Sequence, residues 1–480
     1  MEDNILTDSQ MGSVGVLLDS TLREGELFRA FPLRIKLRIA ELLAKVGVRR
    51  VEVTVDYPPR TYRDEVEPIV KLLNDNGVEV IMHGRAYMRD IEAMSAYDVY
   101  GVAVYIAVSQ LHLSYKLGGI QIDDAIERMR EAIEAASRSG YRYIRATLED
   151  VTRLYMDGKF SELDRLLEST KDLRESGATL VSVPDTAGLM TPSITRKFFR
   201  YALEKTSLPL ACHFHNDYGY ASANTVEALL EGAAEAHVSI YGIGDRNGIA
   251  DLYEVASVMH DIHGLDLGIK REFLNSTYRE FSNLTEIKMP SRHPLSEEAR
   301  TIRAGVHQSM TVRKPEGYVP PLKIKFDFET IKYAATPHLS HKVIAEIARR
   351  SGHEIGPEKA RAAAEKIAQH YAEHEGQVSV KEIVELLTES LGFSVNESSV
   401  RSLFGEERVY VLVKVRPQAD TPSIVREILS WDDVDSVDEV YGDMDLVVTG
   451  RIKVGGDNLV ERMRRLFPQD FERINILITD

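Results

Sequence analysis

Between residues 14 and 264 the sequence switches hydrophobic period repeatedly, from short apolar β-rich runs to amphipathic helical stretches and back. The runs are Val14–Leu18, Arg50–Val55, Val78–Met82, Val99–Val108, Tyr141–Leu148, Thr179–Val183, Leu208–His213 and Ala236–Ile240. Between them lie stretches such as Leu33–Val46, Ile122–Ser139, Ser161–Glu175 and Ser222–Ala234, whose apolar residues recur at helical spacing. Gly47, Gly77, Gly140 and Gly177 stand where these helices should stop. Eight βα units in about 250 residues predict an α/β fold, a TIM (β/α)8 barrel. A doubly wound open sheet gives the same alternation, usually with fewer strands and a Gly-rich first turn. No Gly-x-Gly-x-x-Gly follows the first run.

A barrel presents its chemistry at the C-terminal ends of its strands and in the loops that follow. Asp19, Arg23 and Glu24 follow the first run, Glu52 lies on the second and His83 ends the third. Arg145, Thr147 and Glu149 fall on or after the fifth, Asp185 and Thr186 after the sixth, His213, His215 and Asn216 after the seventh. The loop Gly242-Ile243-Gly244-Asp245-Arg246-Asn247-Gly248 follows the eighth. Alternate strand residues share a face, so His213 and His215 project together and Phe214 points away. Two imidazoles joined by a carboxylate suit a divalent metal ion. A lone His-x-His also fits two surface or core histidines; polar residues converging on one rim favour an active site.

Composition narrows the partners. With 59 Lys and Arg against 75 Asp and Glu, the net charge of −16 argues against nucleic acid or an anionic membrane. A local cluster of Arg and His can still receive an anionic substrate. The single cysteine, Cys212, rules out an intrachain disulfide and fits a reducing compartment. No apolar run reaches the ~18 residues of a membrane span, and the acidic start is unlike a signal peptide. Residues 1–13 read as a loose leader, and the whole as a soluble cytoplasmic protein.

Past the barrel, residues 265–405 are irregular and then helical, over His341–Ser351, Pro357–Glu373 and Val380–Glu389. They predict a connecting subdomain beside the barrel mouth. In it, Ala304-Gly305-Val306-His307 is a candidate for polar chemistry, or His307 is structural. Residues 407–480 read β-α-β-β-α-β, the split ferredoxin-like α+β motif.

Asp19-Ser20-Thr21-Leu22-Arg23-Glu24-Gly25-Glu26 together with His213-x-His215-Asn216-Asp217 resembles the DRE-TIM metallolyase superfamily. Further similar segments are Ile144–Asp150, Pro184–Gly188, Gly244–Gly248 and Ala304–His307, so the resemblance covers about residues 14–320. Arg23-Glu24 is similar to homocitrate synthases, where isopropylmalate synthases usually have Arg-Asp. Residues 407–480 resemble the amino-acid-sensing (RAM) module of Lrp/AsnC regulators through Gly442-Asp443-Met444-Asp445-Leu446-Val447-Val448; no helix-turn-helix accompanies it.

The resemblance implies an acyltransferase that condenses acetyl-CoA with 2-oxoglutarate to homocitrate and CoA, on the lysine biosynthetic route. Glu24, His213 and His215 would hold the divalent ion (Mg, Mn, Zn or Co), and Arg23 would stabilise the alkoxide or else close the barrel mouth as an ion pair. His83, Arg145 and Thr147 would take the distal carboxylate of the oxo acid and Thr186 the proximal one. Glu52 would orient these donors or simply partner Arg23 or Arg145. His307 and Tyr318 are the implied acid–base pair, with Glu149 beside His307. The C-terminal domain would sense an amino acid such as lysine or serve as a dimerisation unit, in a homodimer or larger assembly. Leu27, Ala211, Gln308-Ser309-Met310 and the segment Phe326–His341 depart from the family pattern. The departures bear on substrate choice and leave isopropylmalate or citramalate synthase, a retro-Claisen lyase, or a non-catalytic oxo-acid or amino-acid binder as alternatives.

Overall fold

The computed structural model describes residues 15–58, 61–328, 330–373, 380–404, 407–431, 434–452 and 459–478; the leader expected over residues 1–13 lies outside them. The chain forms two compact units, residues 1–285 and 286–480.

The first unit is a closed parallel barrel of eight strands in sequence order. They are β1 (Val16–Asp19), β2 (Arg50–Thr54), β3 (Glu79–Arg85), β4 (Gly101–Ala107), β5 (Tyr143–Glu149), β6 (Leu180–Asp185), β7 (Leu210–Phe214) and β8 (Glu235–Val238). β8 pairs with β1 from Val16↔Glu235 to Asp19↔Val238, which closes the ring. The TIM barrel read from the alternation is the fold observed, with strand ends shifted by at most three residues. Ile240 leaves the last strand for a short 3-10 turn in which Tyr241 has φ 57°.

Helices seat on the outside by the stripes their spacing predicts. Leu33–Lys45 buries Ile35, Ile39, Ala40, Leu42 and Leu43, and each fully buried Leu or Ile contributes about 1.5–3 kcal/mol. The helix ends at Gly47, whose φ of +81° a residue with a Cβ rarely adopts; Gly77, Gly140 and Gly177 likewise have positive φ. The stretch Ser161–Glu175 is two helices, Phe160–Glu168 and Thr170–Glu175, joined at Ser169. Arg271–Thr285 groups with the barrel, although the alternation in the sequence ends before it. Leu274, Tyr278 and Phe281 are fully buried on it, and Tyr278 Oη accepts from the Tyr253 backbone N–H at 2.7 Å.

The second unit holds two cores. Helices His341–Arg350, Pro357–Glu373, Val380–Leu391 and Glu397–Phe404 pack around Val343, Ile347, Ile367, Ile383 and Leu387. The C-terminal strands β9 (Glu407–Val415), β10 (Val434–Glu439), β11 (Leu446–Ile452) and β12 (Phe471–Ile478) form one antiparallel sheet in the order β10-β11-β9-β12. With helices Thr421–Leu429 and Leu459–Leu466 this is the β-α-β-β-α-β arrangement expected.

Candidate active site

The barrel interior is apolar only in part: Leu18, Ile81, Ala103, Tyr143, Leu180 and Ala211 form its small inner core. Above and through that core runs a line of charges. Glu79 accepts from Arg50 Nε at 2.8 Å, and Arg50 reaches across to Glu235 at 2.8 Å. Glu235 accepts from Arg145 at 3.3 Å, Arg145 donates to Glu52, and Glu52 accepts from Arg23 Nε at 2.7 Å. Arg23 then pairs with Glu24 at the mouth. Burial alone would raise the Glu52 carboxyl, but Arg23 and Arg145 outweigh it and hold it well below the usual range. Burial likewise opposes ionisation of Glu235, which the His237 hydrogen bond and Arg145 and Arg50 bring down to about 2.

Glu24, His213 and His215 meet at the C-terminal ends of β1 and β7. Each offers one ligand atom, and the three atoms lie within 4.8 Å of one another. The alternation read in the sequence places them: the two imidazole rings are 5.1 Å apart, while Phe214 packs outward against Phe199. Burial first, with neighbouring cations and imidazoles, holds both His213 and His215 below the ordinary range, so both offer neutral nitrogens. Among the described residues His215 Nδ1 has no hydrogen-bond partner. Neutral imidazoles, a buried carboxylate and an unpartnered ring nitrogen fit a divalent ion.

The loop after β8 supports this triad. Asp245 N–H donates to Glu24 Oε1 at 3.2 Å. A Cβ at Gly244 would meet Glu24 Cγ at 2.8 Å, and one at Gly248, where φ is +78°, would meet the Gly242 carbonyl at 1.9 Å. The glycines let the backbone close over the carboxylate. Arg246 clamps Asp217 with two bonds of 2.9 and 2.8 Å and bonds the Thr186 carbonyl at 2.8 Å.

The remaining candidates sort by environment. Arg145 is 1% exposed, and its terminal nitrogens are taken by Glu52, Glu235 and His237. Its Nε, Thr147 Oγ1 and Ser182 Oγ are buried and have no partner among the described residues. Thr186 Oγ1 accepts from Asp150 N–H at 2.9 Å. Asn216 Oδ1 accepts from Ala221 N–H at 3.0 Å. Glu149 accepts from Lys116 Nζ at 2.6 and 2.7 Å. His307 and Tyr318 belong to the second unit, where their rings stack at 3.9 Å. Sequence reasoning missed Glu235, His237 and Ser182. Glu235 and His237 repeat on β8 the alternate spacing of the two histidines on β7, and that spacing is a signal the sequence carries.

His83 stacks on Tyr105, with centroids 5.1 Å apart. Burial pushes its pKa from 6.5 down to about 3, against the upward pull of Glu52. Between those values the unfolded chain binds a proton that the folded barrel does not. The histidine's contribution to stability is therefore full above about pH 6.5 and lost as the pH falls toward about 3. His83→Gln is expected to flatten the acid limb of stability against pH in urea melts, by at most about 1.4 kcal/mol per pH unit. An unchanged limb would show that His83 titrates alike in both states.

The family model described as HMGL-like matches residues 16–283, more than half of the chain. The chain belongs to the HMGL-like family. Beside the HMGL-like barrel stand relatives named as synthases. A "Probable 2-isopropylmalate synthase" of Methanopyrus kandleri is 33% identical over 308 residues, covering 63% of this chain and 59% of that protein. An (R)-citramalate synthase of Methanocaldococcus jannaschii is 32% identical over 307 residues, covering 63% and 60%. The chain thus spans about three fifths of the length of these two relatives. A homocitrate synthase of Saccharolobus islandicus is 28% identical over 470 residues, covering 95% and 96%. The crystal structure of an HMG-CoA lyase from Bacillus subtilis aligns over 58% of this chain and 97% of its own, with a TM-score of 0.50 at 19% identity; the likeness is one of fold. Among the described residues no helix is long and apolar enough to cross a membrane.

Proposed function

We propose that this HMGL-like chain is a homocitrate synthase, condensing acetyl-CoA with 2-oxoglutarate to homocitrate and CoA. The observation that carries the reading is Glu24, His213 and His215 meeting with Arg23 at one end of the barrel. Similarity to a homocitrate synthase over 95% of this chain supports the choice of oxo acid.

Glu24, His213 and His215 would hold a divalent ion, which would supply Lewis acidity toward the 2-oxo acid. Arg23, its side chain 15% exposed, would donate to the oxygen on which negative charge develops. Glu52 holds Arg23 and Arg145 in place at once. The unpartnered Thr147 Oγ1 and Arg145 Nε, with neutral His83, serve the distal carboxylate, and Thr186 the proximal one. A base must take a proton from the acetyl methyl group; His307, stacked on Tyr318, is the candidate, with Tyr318 returning a proton to the new hydroxyl oxygen. The C-terminal domain serves as an amino-acid sensor, with lysine the proposed effector, in a homodimer or larger assembly. An isopropylmalate or citramalate synthase is the competing reading, favoured by the higher identity of those relatives over the matched region.

The test is release of CoA thiol from acetyl-CoA with Mg²⁺, Mn²⁺, Zn²⁺ or Co²⁺ and a panel of 2-oxo acids. Fastest release with 2-oxoglutarate, slowed by lysine, is the expected result. Fastest release with 2-oxoisovalerate or pyruvate would replace the substrate and keep the chemistry. A protein that binds metal and releases no thiol with any acid would be a non-catalytic binder.

A further inference from the structure

A metal-ligating histidine needs its second ring nitrogen held, because that bond sets the tautomer and the ring angle. His213 has such a holder, and it is another histidine. His213 Nδ1 lies 3.2 Å from His237 Nδ1, and His237 Nε2 lies 3.0 Å from Glu235 Oε1. His237 is 1% exposed and Glu235 fully buried, so no solvent competes for these contacts. Glu235 is itself fixed by Tyr143 Oη at 2.7 Å and by Arg50 at 2.8 Å.

Two proton arrangements fit this row. In one, Arg145, whose NH1 lies 2.7 Å from His237 Nε2, donates to that nitrogen. His237 then carries its proton on Nδ1 and donates to His213, whose own proton must sit on Nε2. In the other, Arg145 donates to Glu235, at 3.3 Å, and draws back from the 2.7 Å contact with His237 Nε2, which two N–H donors cannot keep. His237 Nε2–H donates to Glu235, and His213 Nδ1–H donates to His237 Nδ1. Each imidazole keeps one proton in both, and only the second frees the His213 Nε2 lone pair.

We infer that His237, anchored by Glu235, is the positioning residue that selects the ligating tautomer of His213. The inference rests on the metal site proposed above. Asparagine at position 237 places its amide where Nδ1 stands and can accept from His213; glutamine places it where Nε2 stands and cannot.

Affinity for Mn²⁺, read by competition with a chromophoric chelator, separates the two variants. His237→Gln should weaken binding by about 10–100-fold, and His237→Asn by no more than about threefold. Equal affinity in all three proteins, or equal loss in both variants, overturns the inference. Wild-type protein that binds no divalent ion overturns the metal site itself, a separate failure. Histidine ¹⁵N shifts of the unaltered protein decide the matter where a variant does not fold. On adding Zn²⁺ the proton of His237 should be found on Nε2, and finding it on Nδ1 overturns the inference.

Discussion

Arg23→Ala is expected to lower kcat of the proposed condensation by about 10²–10³-fold, the loss typical of removing one donor from a developing oxyanion, with affinity for a divalent ion unchanged. The guanidinium sits between Glu52 and Glu24, both carboxylates bonding it. Its charge therefore stands beside the carboxylate of the candidate triad without belonging to it. Arg23→Lys should recover little, because a single ammonium cannot reproduce the planar fork that meets two carboxylates. Turnover and ion content measured on the same samples check the assignment. A fall in bound metal that matches the fall in turnover would make Arg23 a holder of Glu24 and nothing more.

The second large effect concerns folding. Arg145→Met should destabilise the barrel by about 3–5 kcal/mol, as removal of one member of a buried ion pair does. Two fully buried carboxylates, Glu52 and Glu235, lose a partner at once. Adding Glu52→Gln to Arg145→Met should recover part of the loss, since one of the two orphaned charges is then removed. Urea melts of wild type, both single variants and the double variant form the cycle that measures this coupling. A loss below about 1 kcal/mol for Arg145→Met would mean that water replaces the guanidinium.

Much of this was legible in the residues because two periodicities carry it. The recurrence of apolar runs and amphipathic helices announces the barrel, and the alternate spacing of His213 and His215 announces that the two imidazoles share a face. The position after a strand end marks Glu24 only as one of several polar residues at the rim; its place among the candidate ligands comes from the resemblance carried by Asp19–Glu26. The run Ala236–Ile240 begins one residue after the strand does, so the alternating pair Glu235 and His237 does not show within it. Arg145 stands out in the sequence as a candidate, but its engagement by Glu52 and Glu235 joins residues 93 and 90 positions apart, and no local pattern encodes that. The helix Arg271–Thr285 shows the same limit. It lies in a stretch that reads as irregular, and the core that receives Leu274, Tyr278 and Phe281 is a matter of tertiary packing.

The line of charges from Glu79 to Glu24 has a consequence for heat. Hydration of ions grows less favourable as temperature rises, so the cost of keeping these groups out of water shrinks on warming, while apolar burial gains little more. A barrel whose interior is spanned by Arg50, Arg145 and Arg23 between four glutamates should therefore soften later on heating than its small apolar core would allow.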